Sequence, residues 1–206
     1  MKNPNLNELA ARIHEQNKAA GWWDIPRPRV QTAWLVITEL AEATEAERAG
    51  KYTNMAAFET DISDNERVSK EVNGPDSELS LSLMFADSFK RYIKDTFEDE
   101  IADAVIRLLD FAGSEDHTEY LVIEPAFRSN KEVSNEEAFF SVTSCLWQCI
   151  YALNENHLHA SAPYMYGALS MLAELANLRG FDLWQHVELK IKYNATRTKM
   201  HGGKKF

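Results

Sequence analysis

Apolar residues recur every three or four positions along nearly the whole chain, and only 8 Gly and 6 Pro punctuate its 206 residues. That period gathers apolar side chains on one stripe of a helix, whereas a half-buried strand needs alternation. The longest stripe runs Phe85, Phe89, Ile93, Phe97, Ile101, Val105, Leu108, and predicts one long helix from about Leu81 to Ala112, closed by Gly113. Leu6, Leu9, Ala10 and Ile13 mark a first helix to about Ala20, stopped by Gly21. A second runs from about Val30 to Ala49, ahead of Gly50, and a further one from Asn135 to about Leu158. The next starts near Pro163 and ends at Gly180; the last spans about Asp182, an N-cap candidate, to Thr196. Lys51–Ser80 reads as polar and irregular, with a turn at Asn73-Gly74-Pro75. Ser114–Ser134 reads as a second polar connection, with Tyr120–Ile123 as a short strand candidate. The expected fold is an all-α helical bundle, one domain over residues 1–206 with insertions near 51–80 and 114–180.

Two carboxylate pairs sit inside these helices. Glu39-Leu40-Ala41-Glu42 and Glu100-Ile101-Ala102-Asp103 each place two acids at i and i+3, on one helix face. Trp34–Ile37 precede the first pair, and Val105, Ile106, Leu108 and Leu109 follow the second. A lone Glu-x-x-Glu is common on solvated faces. Two pairs on apolar-flanked helices that pack face to face would instead make a four-carboxylate cage, untenable without cations. Hard divalent ions with oxygen ligands meet that need, Mg²⁺ above all, with Mn²⁺ as a substitute. A di-iron bundle would require Glu three residues before His, and none of the six His has one. The Asp-x-Asn/Asp-x-Asn/Asp-Gly calcium loop is absent too.

Charge is unevenly spread. Leu189–Phe206 carries +6 with no acidic residue, so the first 188 residues carry −16 of a net −10. An acidic body argues against polymeric nucleic acid as partner. Lys190, Asn194 and Arg197 fall at i, i+4 and i+7, a cationic and amide face suited to phosphate oxygens as well as to a helix C-terminus. Lys204, after Gly202-Gly203, extends it. Cys145 and Cys149, at i and i+4, read as small apolar residues of a reducing compartment. No signal core and no membrane-length apolar run is present, so a cytoplasmic protein without membrane contact is expected. Trp22 and Trp23 suit packing, or, for Trp23, stacking on a flat ring. His14 and His186 read as ordinary, partly exposed residues, and Arg107, at i+4 from Asp103, as its ion-pair partner.

With these blocks in order, the chain resembles the all-α nucleoside triphosphate pyrophosphatases, the MazG-like and dimeric dUTPase/dCTPase superfamily, whose signature is E-x-x-E followed by E-x-x-D. Gly21-Trp22-Trp23-Asp24 is similar to the G-[FW]-W-[DE] block of a phage and bacterial branch. Thr38–Gly50, Glu98–Gly113 and Lys190–Lys205 are similar to its two carboxylate helices and its K-x-x-Y-N-x-x-R-x-x-x-H-G-K-K tail. Three departures stand out: 57 residues separate the carboxylate motifs, a further insertion separates Gly113 from the Gly180-Phe181-Asp182-Leu183 entry to the last helix, and Thr198 stands where Pro often follows the Arg.

The resemblance implies Mg²⁺-dependent hydrolysis of a (deoxy)nucleoside triphosphate to monophosphate and pyrophosphate, in nucleotide-pool housecleaning. Glu39, Glu42, Glu100 and Asp103 would be catalytic metal ligands. Lys190, Asn194, Arg197, Lys204 and Trp23 would bind substrate. A homodimer or homotetramer is implied as well. The competing expectation, raised by the two insertions, is a helical nucleotide-binding or partner-binding module without catalysis.

Overall fold

The computed structural model describes residues 4–73, 78–115 and 133–197, and these are helical with short connections. Eight helices follow in order: α1 Leu6–Ala19, α2 Arg29–Arg48, α3 Met55–Asn73, α4 Glu78–Tyr92, α5 Phe97–Ser114, α6 Asn135–Asn154, α7 Leu158–Arg179 and α8 Leu183–Ala195. Local chemistry explains the boundaries. Asn5 caps α1 by accepting from the Asn7 and Glu8 amides; Asp182 does the same for α8 through Gln185. Ser134 and Glu137 form a reciprocal capping box on α6. Gly180 ends α7 at φ 77°, a left-handed geometry that costs a glycine nothing.

Helix α5 is the hub. It packs against α1, α2, α7 and α8, and buries Ile101, Val105, Leu108, Leu109 and Phe111 at 1% exposure or less. Helices α6 and α7 form a hairpin that lies on α2 and α5. No described helix is long and apolar enough to cross a membrane.

Three boundary expectations need correction. Residues 51–80 are not irregular: α3 occupies most of them and pairs with α4 around Phe58, Phe85, Phe89 and Ile93. The long helix over 81–112 is two. Asp95 turns the chain at φ 61°, and Thr96 starts α5 by accepting from the Asp99 amide. The Phe97 amide meanwhile donates to the Lys51 carbonyl. The apolar stripe crosses this break unaltered because its two halves serve different cores. Phe85, Phe89 and Ile93 fill the small α3–α4 core, while Phe97 onward fills the main one. Finally, the α6–α7 break comes at residues 155–157, with Asn156 at φ 59°, so α6 ends at Asn154, short of Leu158, and Pro163 lies inside α7, in its second turn. Gly74-Pro75, the strand candidate at 120–123 and the tail from 198 lie outside the described residues.

Candidate metal centre

Helices α2, α5 and α8 meet at a polar cleft of about 280 Å³ whose walls include Glu39, Glu42, Glu100, Asp103, Lys190, Asn194 and Arg197. Seven of the nine sequence-selected residues therefore share one cavity. Glu39, Glu42 and Glu100 each place a carboxylate oxygen within 4.8 Å of the others. Glu42 is exposed, but Glu39 and Glu100 are only 7% and 4% exposed.

Burial makes these acids reluctant to ionise. It lifts Glu100 to about 9, with Asp103 adding repulsion. It lifts Glu39 to about 7, again with help from Asp103, although Arg107 opposes the shift. Among the described residues, no hydrogen-bond donor reaches the Glu100 carboxylate. Its charge faces the cleft beside Asp103, Asp99 and Glu42, with Lys190 offsetting part of the repulsion, and a cation bound there would offset the rest. The donor set, three carboxylates on a short perimeter with no thiolate or imidazole, fits a hard divalent ion.

Asp103 is set apart from that trio. Lys190 Nζ lies 2.8 Å from Asp103 Oδ2 and 2.8 Å from Asp99 Oδ2. Burial works against the Lys190 ammonium, but Asp103 and Asp99 outweigh it and hold the amine firmly protonated. For Asp99 the balance goes the other way: burial raises its pKa despite Lys190. Sequence reasoning assigned Lys190 to phosphate; here it is tied to two carboxylates of α5. Arg107, expected to pair with Asp103, instead donates from Nε to Glu39 Oε1 at 3.1 Å. Its i+4 spacing from Asp103 is real, but α2 packs close enough for Glu39 to take the guanidinium.

Asp99 was missed. At 1% exposure it is the most buried acid of the site. Its Oδ2 accepts from the Asp95 amide at 3.0 Å and from Lys190, while its Oδ1 has no partner among the described residues. The sequence signal was the acidic first turn of α5, which reads as dipole chemistry until Lys190 is placed beside it. Asn194 presents a second orphan: its Oδ1 is buried and lacks a partner among the described residues. Arg197 lies on the cleft wall with its guanidinium over the Tyr193 ring.

The tryptophans exchange roles. Trp22, 7% exposed, lines the cleft and also an adjoining apolar lobe of about 330 Å³ walled by Ile13, Ile106 and Ile191. Trp23 faces elsewhere: its indole N–H donates to both Asp110 oxygens at 3.1 and 3.2 Å, and its ring meets the edge of His14. His14 is not an ordinary surface residue, since its Nδ1 lies 2.8 Å from Asp110 Oδ1. His186 is buried at 4%, and burial lowers it to about 4. Lys204 lies outside the described residues.

No protein-family model matches the chain, and no match was found among curated proteins or solved structures.

Proposed function

We propose that the chain is a Mg²⁺-dependent nucleoside triphosphate pyrophosphohydrolase, releasing nucleoside monophosphate and pyrophosphate. One observation carries this reading. Three carboxylates on two helices converge on a cleft that also holds Lys190, Asn194 and Arg197, so anion-binding and cation-binding groups share one cavity. Neither half is useful alone: the acids repel phosphate, and only an intervening ion reconciles them.

Glu39, Glu42 and Glu100 would hold the ion, with Asp103 joining when it is free of Lys190. Bound there, Mg²⁺ supplies charge for the phosphate oxygens and lowers the pKa of a water that attacks phosphorus. Arg197 and Lys190 would grip phosphate oxygens by charge-assisted hydrogen bonds, and the Asn194 amide would orient them. Glu39, titrating near neutrality, is suited to take the proton of the attacking water. Trp22 supplies a flat apolar wall beside the phosphate-binding groups for the rest of the nucleotide. A subunit partner, dimeric or tetrameric, belongs to the same proposal.

The test is release of pyrophosphate and of orthophosphate from a panel of NTPs and dNTPs, with Mg²⁺ and with excess chelator. Metal-dependent pyrophosphate release is expected, along with a severe loss of turnover in Glu42→Gln. Full activity of that variant under saturating Mg²⁺ would remove Glu42 from the ligand set. Nucleotide binding without turnover under any metal would make the chain a binding module, the reading favoured by Lys190 already occupying Asp103.

A further inference from the structure

The cleft holds one more charge relation that the motif does not contain. Four motif carboxylates line it, yet only three oxygen sets converge, because Lys190 stands on Asp103. We infer that Lys190 is a tethered cation that fills the place of a second divalent ion at Asp103 in the substrate-free protein. An incoming phosphate draws it off, so that the second ion and the substrate enter together. The inference rests on the nucleotide-hydrolase reading and names an order of assembly within that site.

The geometry supports an exchange instead of a permanent strut. Lys190 is 5% exposed, but it belongs to the cleft wall, so its ammonium is within reach of a ligand there. Its departure would cost Asp99 its cation, but Asp99 Oδ2 would keep the Asp95 amide as a donor. That amide is held by the left-handed turn at Asp95, at the junction of α4 and α5, so the acceptor stays in place. Asp103, by contrast, has no other ion-pair partner among the described residues, and it is released when Lys190 turns away.

Charge accounts for the order. A dication beside Asp103 and the Lys190 ammonium a few ångströms away would repel in a cavity that screens poorly. A polyphosphate removes the conflict, because it gives the ammonium a new anionic partner and brings further ligands for the ion. The Lys190 stem is long and unbranched, so such a swing needs rotamer changes only. Asp99 is then a positioning residue. It touches neither ion nor substrate, but holds the ammonium on Asp103 until the exchange.

The experiment counts Mn²⁺ bound to the full chain by electron paramagnetic resonance. The wild type is measured alone and with a mixture of α,β-methylene deoxynucleoside triphosphates, and Lys190→Met alone. One tight Mn²⁺ is expected on the wild type, two with the nucleotide mixture, and two on Lys190→Met without nucleotide. The second ion on that variant should bind about tenfold or more tightly than on the nucleotide-free wild type. Lys190→Met leaves the buried Asp99 and the half-buried Asp103 without their cation, so Lys190→Met/Asp99→Asn is measured beside it, with thermal melts to confirm folding. Two tight ions on the nucleotide-free wild type, or a single ion on both folded variants, would overturn the exchange and leave the metal-site reading standing. No Mn²⁺ on any form would overturn both. Nucleotide that raises the melting temperature without admitting a second ion would overturn the coupling alone.

Discussion

Two buried carboxylates of α5, Glu100 and Asp110, differ in almost everything except burial. Both are under 5% exposed, and burial raises the pKa of both. Asp110 is surrounded by donors: the His14 ring, the Trp23 indole and the Asn17 amide. Those contacts tie α1 and the turn after it to α5. Glu100 has no hydrogen-bond donor among the described residues and lines the cleft; Asp103, Asp99 and Glu42 repel its charge, and Lys190 offsets only part of that. A buried charge ringed by donors is a structural joint, whereas a charge crowded by like charges on a cleft wall is stabilised by a cation bound there. Separated by less than three helical turns, the pair shows that burial alone identifies no site. The identity of the neighbours does.

That contrast can be broken at either end. The largest effect is expected at Glu100. Glu100→Gln should lower turnover by roughly 10²-fold or more and weaken Mn²⁺ binding, since even groups outside the ligand set cost 10–100-fold. Unchanged kinetics would place Glu100 with Asp110 as a structural residue.

The second test is pH. Glu100 and Glu39 have folded-state pKa values, about 9 and about 7, above the ordinary value of 4.5. From pH 4.5 upward the unfolded chain gives up these protons while the native state retains them. Metal-free stability should therefore fall as pH rises, steeply to about 7 through both acids and on to about 9 through Glu100. Chemical denaturation in chelator measures this, and Mg²⁺ or Glu100→Gln should flatten the slope. A metal-free stability that is flat between pH 5 and 9 would contradict the burial argument.

At the satisfied end the effect is on folding. Asp110→Ala leaves His14 and Trp23 without their acceptor and should cost about 1–3 kcal/mol, with Mn²⁺ affinity unchanged. Loss of ion binding in that variant would merge the two regions. The smallest effect tests how closely α1 and α5 approach. A Cβ at Gly113 would lie 2.8 Å from His14 Cβ and 3.0 Å from the Ala10 carbonyl oxygen. Gly113→Ala should cost about 1 kcal/mol or somewhat more by overpacking. A neutral result would mean that α1 shifts freely and that the Asp110 joint is loose.

Much of the helix order was legible in the sequence because period and caps are local: Asp182 and Gly180 act on residues within one turn. The long stripe from Phe85 to Leu108 misled for the same reason. Period reports that a face is buried and says nothing of what buries it, so two cores looked like one helix. The local signal that divides them, Thr96 three residues before Asp99, was present but weaker than the stripe. Within the cleft, the carboxylate and Lys/Asn/Arg motifs could be found because chemistry requires those residue types at helical spacing. Asp99 could not, since one more acid in a first turn resembles ordinary dipole chemistry.

The sequence by itself determined an all-α chain and the residues that carry its chemical potential. Both depend on short-range order: hydrogen bonds four residues apart and side chains sharing a helix face. The tertiary structure decided who meets whom. It gave Arg107 to Glu39, Lys190 to Asp99 and Asp103, Trp22 to the cleft and Trp23 to Asp110. Those pairings span from 68 to 91 residues of chain where their separations are defined by hydrogen bonds. Their energies depend on desolvation and distance, and both are set only when α1, α2 and α8 close around α5.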